Sequence, residues 1–380
     1  MLPTASFMHS IFSNAPVGMS YSLFYLANPA YGGWVSFTAH MALKYKMPLF
    51  KIGNRTEILA SGEPKMREYG YGAQYRNVAK GDIAEVAKAT HGKILITAID
   101  KNFYHALDSF PNGTFIVIHD PTEINKKNEA EILDHLRRFR IITIRESVKT
   151  YLKKRYDLDS TFIIHPFYAY EFKKDAHPDK AVSISRIDFD KHTDIILEAN
   201  ARLPAAKAID IYGFKNNQYV FFKLKDLHFD KYYKGGFEKS FEELNNVLKS
   251  AKYCVDMSVI KGDGGGSQYT FLEAIHNDCA LVINQKWISE FKTVFKPGVN
   301  CFVVADGEEL AALLKKDPPV RSILKEADKI LEPHLRVNWP ARMDAIGGGH
   351  GGRGGRSGTR KAAKHGGGTR KTRRTSQTPP

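Results

Sequence analysis

Residues Gly262 to Asn284 read GDGGGSQYTFLEAIHNDCALVIN, a glycine-rich loop, a short helix with one acid at Glu273, and an apolar strand. Unpaired backbone N–H groups at a glycine-rich turn and at a helix N-terminus attract anions, a phosphate above all. A carboxylate two turns into that helix repels a phosphate and suits hydroxyls instead. Phosphate and hydroxyls together, at the end of a strand, describe a nucleotide or a nucleotide-sugar.

A second segment upstream adds cations. Ala181-Val-Ser-Ile-Ser-Arg186-Ile-Asp-Phe-Asp-Lys191 begins as an apolar strand and continues, from His192, as an amphipathic helix. Arg186 and Lys191 fall in the loop between them, where two cations neutralise a diphosphate by charge-assisted hydrogen bonds. Each alone reads as an ordinary surface cation. Paired with the glycine-rich segment they read as the second half of a donor site.

The strand, the Arg-x4-Lys loop and the later Leu-Glu-Ala helix resemble the donor half of the retaining GT-B glycosyltransferases of family 4 (glycosyl transferases group 1). The resemblance implies an α/β fold of two Rossmann-like doubly wound domains facing a central cleft. It implies that Arg186 and Lys191 hold the diphosphate of a sugar nucleotide, UDP- or GDP-linked, and that Glu273 binds the ribose. By the same resemblance, the backbone of Gly264, Gly265 and Gly266, with Tyr269 and Thr270, is expected to complete the donor contacts. One position departs from the pattern. The first acid of the family's pair falls on Gly265, with Asp263 two residues earlier, so a double displacement with that acid as nucleophile is disfavoured.

The first half of the chain agrees with this resemblance. Tyr21-Ser-Leu-Phe-Tyr-Leu-Ala-Asn reads as a buried strand, followed by Gly32-Gly33, a helix over Val35–Tyr45 and a second strand at Pro48–Gly53. Glycines at 32 and 33 permit close backbone approach to the donor phosphate from the opposite domain. Thr114-Phe-Ile-Val-Ile-His119 is a strand ending in a histidine, where the family places one facing donor sugar and acceptor; strand ends are where α/β sites form.

The expected organisation is an N-terminal extension over 1–20, a Rossmann-like acceptor domain over 21–167 and a linker over 168–180. A Rossmann-like donor domain over 181–318 follows, then C-terminal helices over 319–346 that cross back to the first domain, with interruptions at Pro333 and Pro340. The remaining residues, 347–380, form a disordered Gly/Arg/Lys-rich tail. That tail has no acid and carries nine of the lysines and arginines, so of the net charge of +15 only +6 belongs to the rest. Such a segment cannot bury enough apolar surface to fold and attracts polyanions weakly by charge.

Three cysteines, Cys254, Cys279 and Cys301, are too few and too scattered for a disulfide framework or a zinc site. No apolar run is long enough to span a bilayer, and the first twenty residues lack the basic start of a signal peptide. The expected location is cytoplasmic, or peripheral at a membrane through the basic stretches 136–140 and 149–155. No Asp-x-Asp motif closes a strand, and two fixed cations replace a metal, so no metal and no cofactor beyond the nucleotide-sugar is expected.

The function implied is transfer of a sugar from a nucleotide-sugar to the hydroxyl of a glycan, lipid or other acceptor, with retention. Two other readings stand beside it: a sugar-nucleotide epimerase on the same fold, and a nucleic-acid-binding protein acting through its basic tail, a DNA-modifying glycosyltransferase included.

Overall fold

A computed structural model describes residues 21–27, 32–53, 66–69, 72–90, 92–124, 128–236, 240–259, 268–290 and 293–348. The N-terminal extension, the glycines at 264–266 and nearly all of the basic tail lie outside these.

The first sheet has eight strands in the order β3-β4-β2-β1-β5-β6-β7-β8. They are β1 (Tyr21–Leu26), β2 (Leu49–Gly53), β3 (Met66–Tyr69), β4 (Ala73–Ala79), β5 (Lys93–Ile99), β6 (Phe115–Ile118), β7 (Arg140–Thr143) and β8 (Ser160–Phe162). All neighbours are parallel except β3 and β4, an antiparallel pair at the edge. The central strands are unbroken apolar runs because helices cover both faces. In β1 all six residues, and in β5 all but Lys93, are buried. Helices α1 (Gly33–Tyr45), α2 (Ile83–Ala89), α3 (Glu129–Leu136) and α4 (Glu146–Tyr156) make the crossovers.

The second sheet has six parallel strands in the order β11-β10-β9-β12-β13-β14. These are β9 (Lys180–Ser183), β10 (Ile209–Tyr212), β11 (Tyr233–Gly235), β12 (Ala251–Asp256), β13 (Ala280–Asn284) and β14 (Phe302–Val304). Helices α5 (Thr193–Asn200), α6 (Phe241–Leu248), α7 (Gln268–His276) and α8 (Gly307–Lys316) flank it. In each sheet the chain winds outward from one central strand, then restarts beside it and winds the other way. The switch falls between β1 and β5 in the first sheet and between β9 and β12 in the second. Ligands of open α/β sheets bind at such a switch, beyond the carboxyl ends of the strands.

The last two helices are α9 (Arg321–Arg336) and α10 (Trp339–Gly348). The prolines do not break them. Pro333 lies inside α9, and Pro340 occupies the first turn of α10, where a missing N–H costs nothing. The break is at Val337, whose backbone is extended.

These helices return to the first sheet. Lys44 Nζ donates to the carbonyls of His334 and Leu335, Tyr45 Oη to that of Val337, and Tyr21 Oη to Asp344. Trp339 is fully buried, lies edge-on to Phe37 and donates its indole N–H to Ile164 O at 2.9 Å. One apolar cluster consequently runs from Tyr21 and Phe37 through Phe167 to Phe271, Trp287 and Met343.

Candidate functional site

Two glycines set the geometry at the first switch. Gly32 has φ of +95°, a left-handed value that glycine alone adopts without strain, and its carbonyl accepts from Val35 and Ser36 N–H as α1 begins. Among the described residues other than their chain neighbours, no heavy atom lies within 4 Å of where a Cβ would stand on Gly32 or Gly33.

His119 follows β6, one strand over from the switch. It is buried, edge-on to Phe37 with ring centroids 5.0 Å apart, and its Nε2–H donates to Thr97 O at 2.7 Å. Burial pushes its pKa down to about 4, so the ring is neutral at physiological pH. Its partner group escaped the sequence reading. The Glu123 carboxyl, 6% exposed, accepts through Oε1 from Trp34 Nε1–H at 2.9 Å and from the His119 main-chain N–H at 3.2 Å. Burial drives the Glu123 pKa well above the ordinary carboxylate range. Trp34, on the first turn of α1, is thereby tied to the His119 loop by a carboxyl 89 residues away.

The cations stand at the second switch. Arg186 follows β9, with its guanidinium 3.6 Å from Asp188 and 3.3 Å from Asp190; half of the side chain is exposed. Lys191 is mostly covered, and its ammonium donates to Ser258 Oγ at 3.0 Å, with Asp190 at 3.9 Å. Ser258 lies just past the end of β12, so this bond spans the β9/β12 switch. Asp256, the last residue of β12, accepts from Ser258 N–H at 2.8 Å and takes a very short hydrogen bond from Ser185 Oγ.

The Arg186 loop is held from its other side by the segment that follows β10. Ile187 N–H donates to Phe214 O, and Asn216 N–H to Ile187 O, both at 2.9 Å. This close approach requires Gly213, whose φ is +141°. A Cβ there would meet Ser185 O at 2.2 Å.

Helix α7 turns its expected donor residues toward the packing between the two sheets. The Tyr269 ring stacks on His40 of α1 at 4.7 Å, and its hydroxyl donates to Pro166 O at 2.9 Å. Glu273 is 3% exposed, with Oε1 3.8 Å from His40 Nε2. His40 Nδ1 accepts from Tyr168 N–H at 2.9 Å, and burial, aided by the charges of His276 and Lys44, holds its pKa well below the usual histidine range. Thr270 is partly exposed on the same helix.

The expected residues thus form three groups: Gly32, Gly33 and His119 at the first switch, Arg186 and Lys191 at the second, and Tyr269 with Glu273 against α1 and the connecting segment. Gly264, Gly265 and Gly266 lie outside the described residues. Ser258 is the residue whose position, immediately after an apolar strand, offered a signal in the sequence. Glu123 and His40 offered none, since their partners are distant in the chain. No helix among the described residues is long and apolar enough to cross a membrane.

No protein-family model and no curated protein sequence matches the chain. Solved structures do. Anabaena Alr3699/HepE in complex with UDP is similar at TM-score 0.60 and 15% identity, over 87% of this chain and 98% of that one. Staphylococcus aureus TarM, as a point mutant with fondaparinux, alpha-GlcNAc-glycerol and UDP, is similar at 0.59 and 12%, over 86% and 98%. A glycosyltransferase from Rickettsia africae is similar at 0.53 and 12%, over 87% and 99%. Likeness at these identities establishes architecture: the chain has the GT-B fold, two Rossmann-like sheets joined by a crossing C-terminal helix pair.

Proposed function

We propose that this protein is a glycosyltransferase that moves a sugar from a nucleotide-sugar donor to an acceptor hydroxyl with retention at the anomeric carbon and without a metal. The observation that carries the reading is the placement of Arg186 and Lys191 at the β9/β12 switch, where Ser258 holds Lys191 and Asp188 and Asp190 flank Arg186. HepE, similar in fold, was solved with UDP and with UDP-glucose.

In this reading the donor diphosphate lies against Lys191 and Arg186, which stabilise the charge that grows on it as the bond to the sugar breaks. The anomeric carbon–oxygen bond to the diphosphate breaks, and the acceptor oxygen bonds to the same face. A phosphate oxygen of the leaving group takes the acceptor proton. The scheme needs no protein nucleophile, in keeping with Gly265 standing where the family's first acid would be. Two cations fixed on the protein do the electrostatic work otherwise done by a divalent ion.

Glu273 as the ribose ligand adds a condition. Its carboxylate is covered beside His40, so ribose reaches it only when α7 and α1 part. Donor binding is then linked to movement between the sheets, and water is excluded as they close again.

The test is a thermal-shift series with UDP, GDP, ADP and their sugar conjugates on the wild type and on the Lys191→Ala/Arg186→Ala double variant. A base-selective rise in melting temperature that the double variant loses supports the reading; a hundredfold excess over Kd makes ~2.7 kcal/mol available. Absence of any shift in the wild type overturns it. Product analysis with the nucleotide-sugar so identified then reports the anomeric configuration, and an unchanged rate in chelator supports metal independence.

A further inference from the structure

Outside the nucleotide-binding residues, the described residues bring together one group of metal-ligating side chains. His105 belongs to a short 3₁₀ segment, Tyr104–Ser109, that follows β5; Glu131 and His135 sit one turn apart on α3. Spacing of i and i+4 puts the latter two on one face of the helix, and that face is turned to the 3₁₀ segment. One ligand atom from each of the three residues lies within 4.8 Å of the other two.

We propose that His105, Glu131 and His135 form a binding site for a divalent transition-metal ion of the zinc type, with water as the fourth ligand. The distances fit such an ion. Ligands at about 2.0–2.1 Å in a tetrahedron stand about 3.3–3.4 Å from one another, and His105 Nδ1 is 3.4 Å from Glu131 Oε1.

The surroundings of His135 supply a separate argument. Its Nδ1 lies 3.3 Å from Asp108 Oδ1, and in the proposed site Nε2 is the nitrogen that takes the ion. A carboxylate on the far nitrogen is the usual support of a metal-bound histidine, because it fixes the ring and raises its basicity. Asp108 is itself held by Arg138 Nη2 at 3.0 Å. The His135 side chain is 15% exposed, so its ring is fixed, while the more open His105 and Glu131 leave an ion access from solvent. Two imidazoles with one carboxylate suit zinc, nickel or copper and are poor ligands for magnesium or calcium.

The backbone is fixed before any ion arrives. Tyr104, Ala106 and Leu107 of the 3₁₀ segment pack in the same core as Ile132 and Leu136 of α3. An ion would staple the segment after β5 to the helix that follows the His119–Glu123 loop, and so would stiffen one flank of the first switch. The proposal is independent of the sugar-transfer reading, and the ion takes no part in that chemistry.

The experiment is calorimetric titration of the metal-stripped full chain with zinc chloride, alongside melting curves and cobalt(II) absorption. The comparison set is His105→Ala, His135→Ala, Glu131→Gln, Asp108→Asn and the double variant His350→Ala/His365→Ala, since the chain has 14 histidines and those two lie in its tail. The expected result is one saturable site that raises the melting temperature and gives tetrahedral cobalt bands. Affinity should fall at least tenfold in each of the first three variants and about 10–100-fold in Asp108→Asn, with no change in the tail variant. Because His105 and Glu131 are surface side chains, the metal-free variants should melt with the wild type. No saturable binding, or binding lost only in the tail variant, overturns the proposal.

Discussion

Lys191→Ala should weaken nucleotide diphosphate binding far more than Arg186→Ala, although both cations belong to the same loop. The Lys191 side chain is 11% exposed, and its ammonium is already oriented by Ser258 at 3.0 Å. A charge-assisted hydrogen bond from such a covered, ordered group contributes about 1.5–3 kcal/mol, or roughly 10–150-fold in Kd. Arg186 is 48% exposed, screened by water and shared with Asp188 and Asp190 at 3.6 and 3.3 Å. A diphosphate must displace those partners, so its net worth is that of an exposed pair, about 0.2–1 kcal/mol or less than about sixfold. Calorimetric titration with UDP, or with whichever diphosphate the thermal series selects, measures both. Raising salt should weaken the Arg186 contribution first, since exposed pairs are screened more than covered ones. An Arg186→Ala loss equal to or larger than that of Lys191→Ala would refute the argument from burial.

Stability should fall with acid through the buried neutral histidines. His119 and His334 have folded-state pKa values near 4 through burial, against about 6.5 unfolded, so their contribution is whole above pH 6.5 and is lost as pH falls toward 4. Each costs on the order of 3 kcal/mol at pH 4, which urea unfolding across that range measures; a flat profile would contradict it. Glu123 acts in the opposite sense. Its folded-state pKa is raised by burial, so its stabilisation is present in full below about 4.5 and is lost as pH rises toward the folded value. Glu123→Gln should keep the Trp34 bond and abolish that loss, so parallel stability–pH curves for variant and wild type above pH 5 would count against it. Gly213→Ala should cost at least about 2 kcal/mol, from a strained φ and a Cβ 2.2 Å from Ser185 O, and a melting temperature within 2 °C of wild type would exclude this.

The fold was legible wherever a strand is buried on both faces. Runs such as FIVI at Phe115–Ile118 and ALVIN at Ala280–Asn284 can be little else once Gly and polar residues bound them. The edge pair was not legible. MREY at Met66–Tyr69 and AQYRNVA at Ala73–Ala79 carry polar side chains on a strand pair that only pairing, not patterning, defines. Prolines misled for a reason of local context. Pro333 lies one turn before the end of α9 and Pro340 in the first turn of α10, so the general expectation of a break at proline gave way to where each ring sits.

For the candidate site, the division runs between groups whose geometry is set within one loop and groups whose partner is remote. Arg186 and Lys191 are five residues apart on a single β–α connection, so their common placement at a strand end follows from the order of elements alone. What fixes Lys191 does not follow, because Ser258 comes just after β12 and its approach depends on β12 lying beside β9. Glu123 and Trp34 meet across 89 residues. Glu273 was legible as an acid on a helix, yet its environment is made by His40, which enters from a helix of the other sheet. Sequence pattern places a side chain on a face of its own element. Whether that face meets solvent, a ligand or a buried imidazole is decided by packing between elements, and for Glu273 packing puts the carboxylate at the seam between the two halves of the protein.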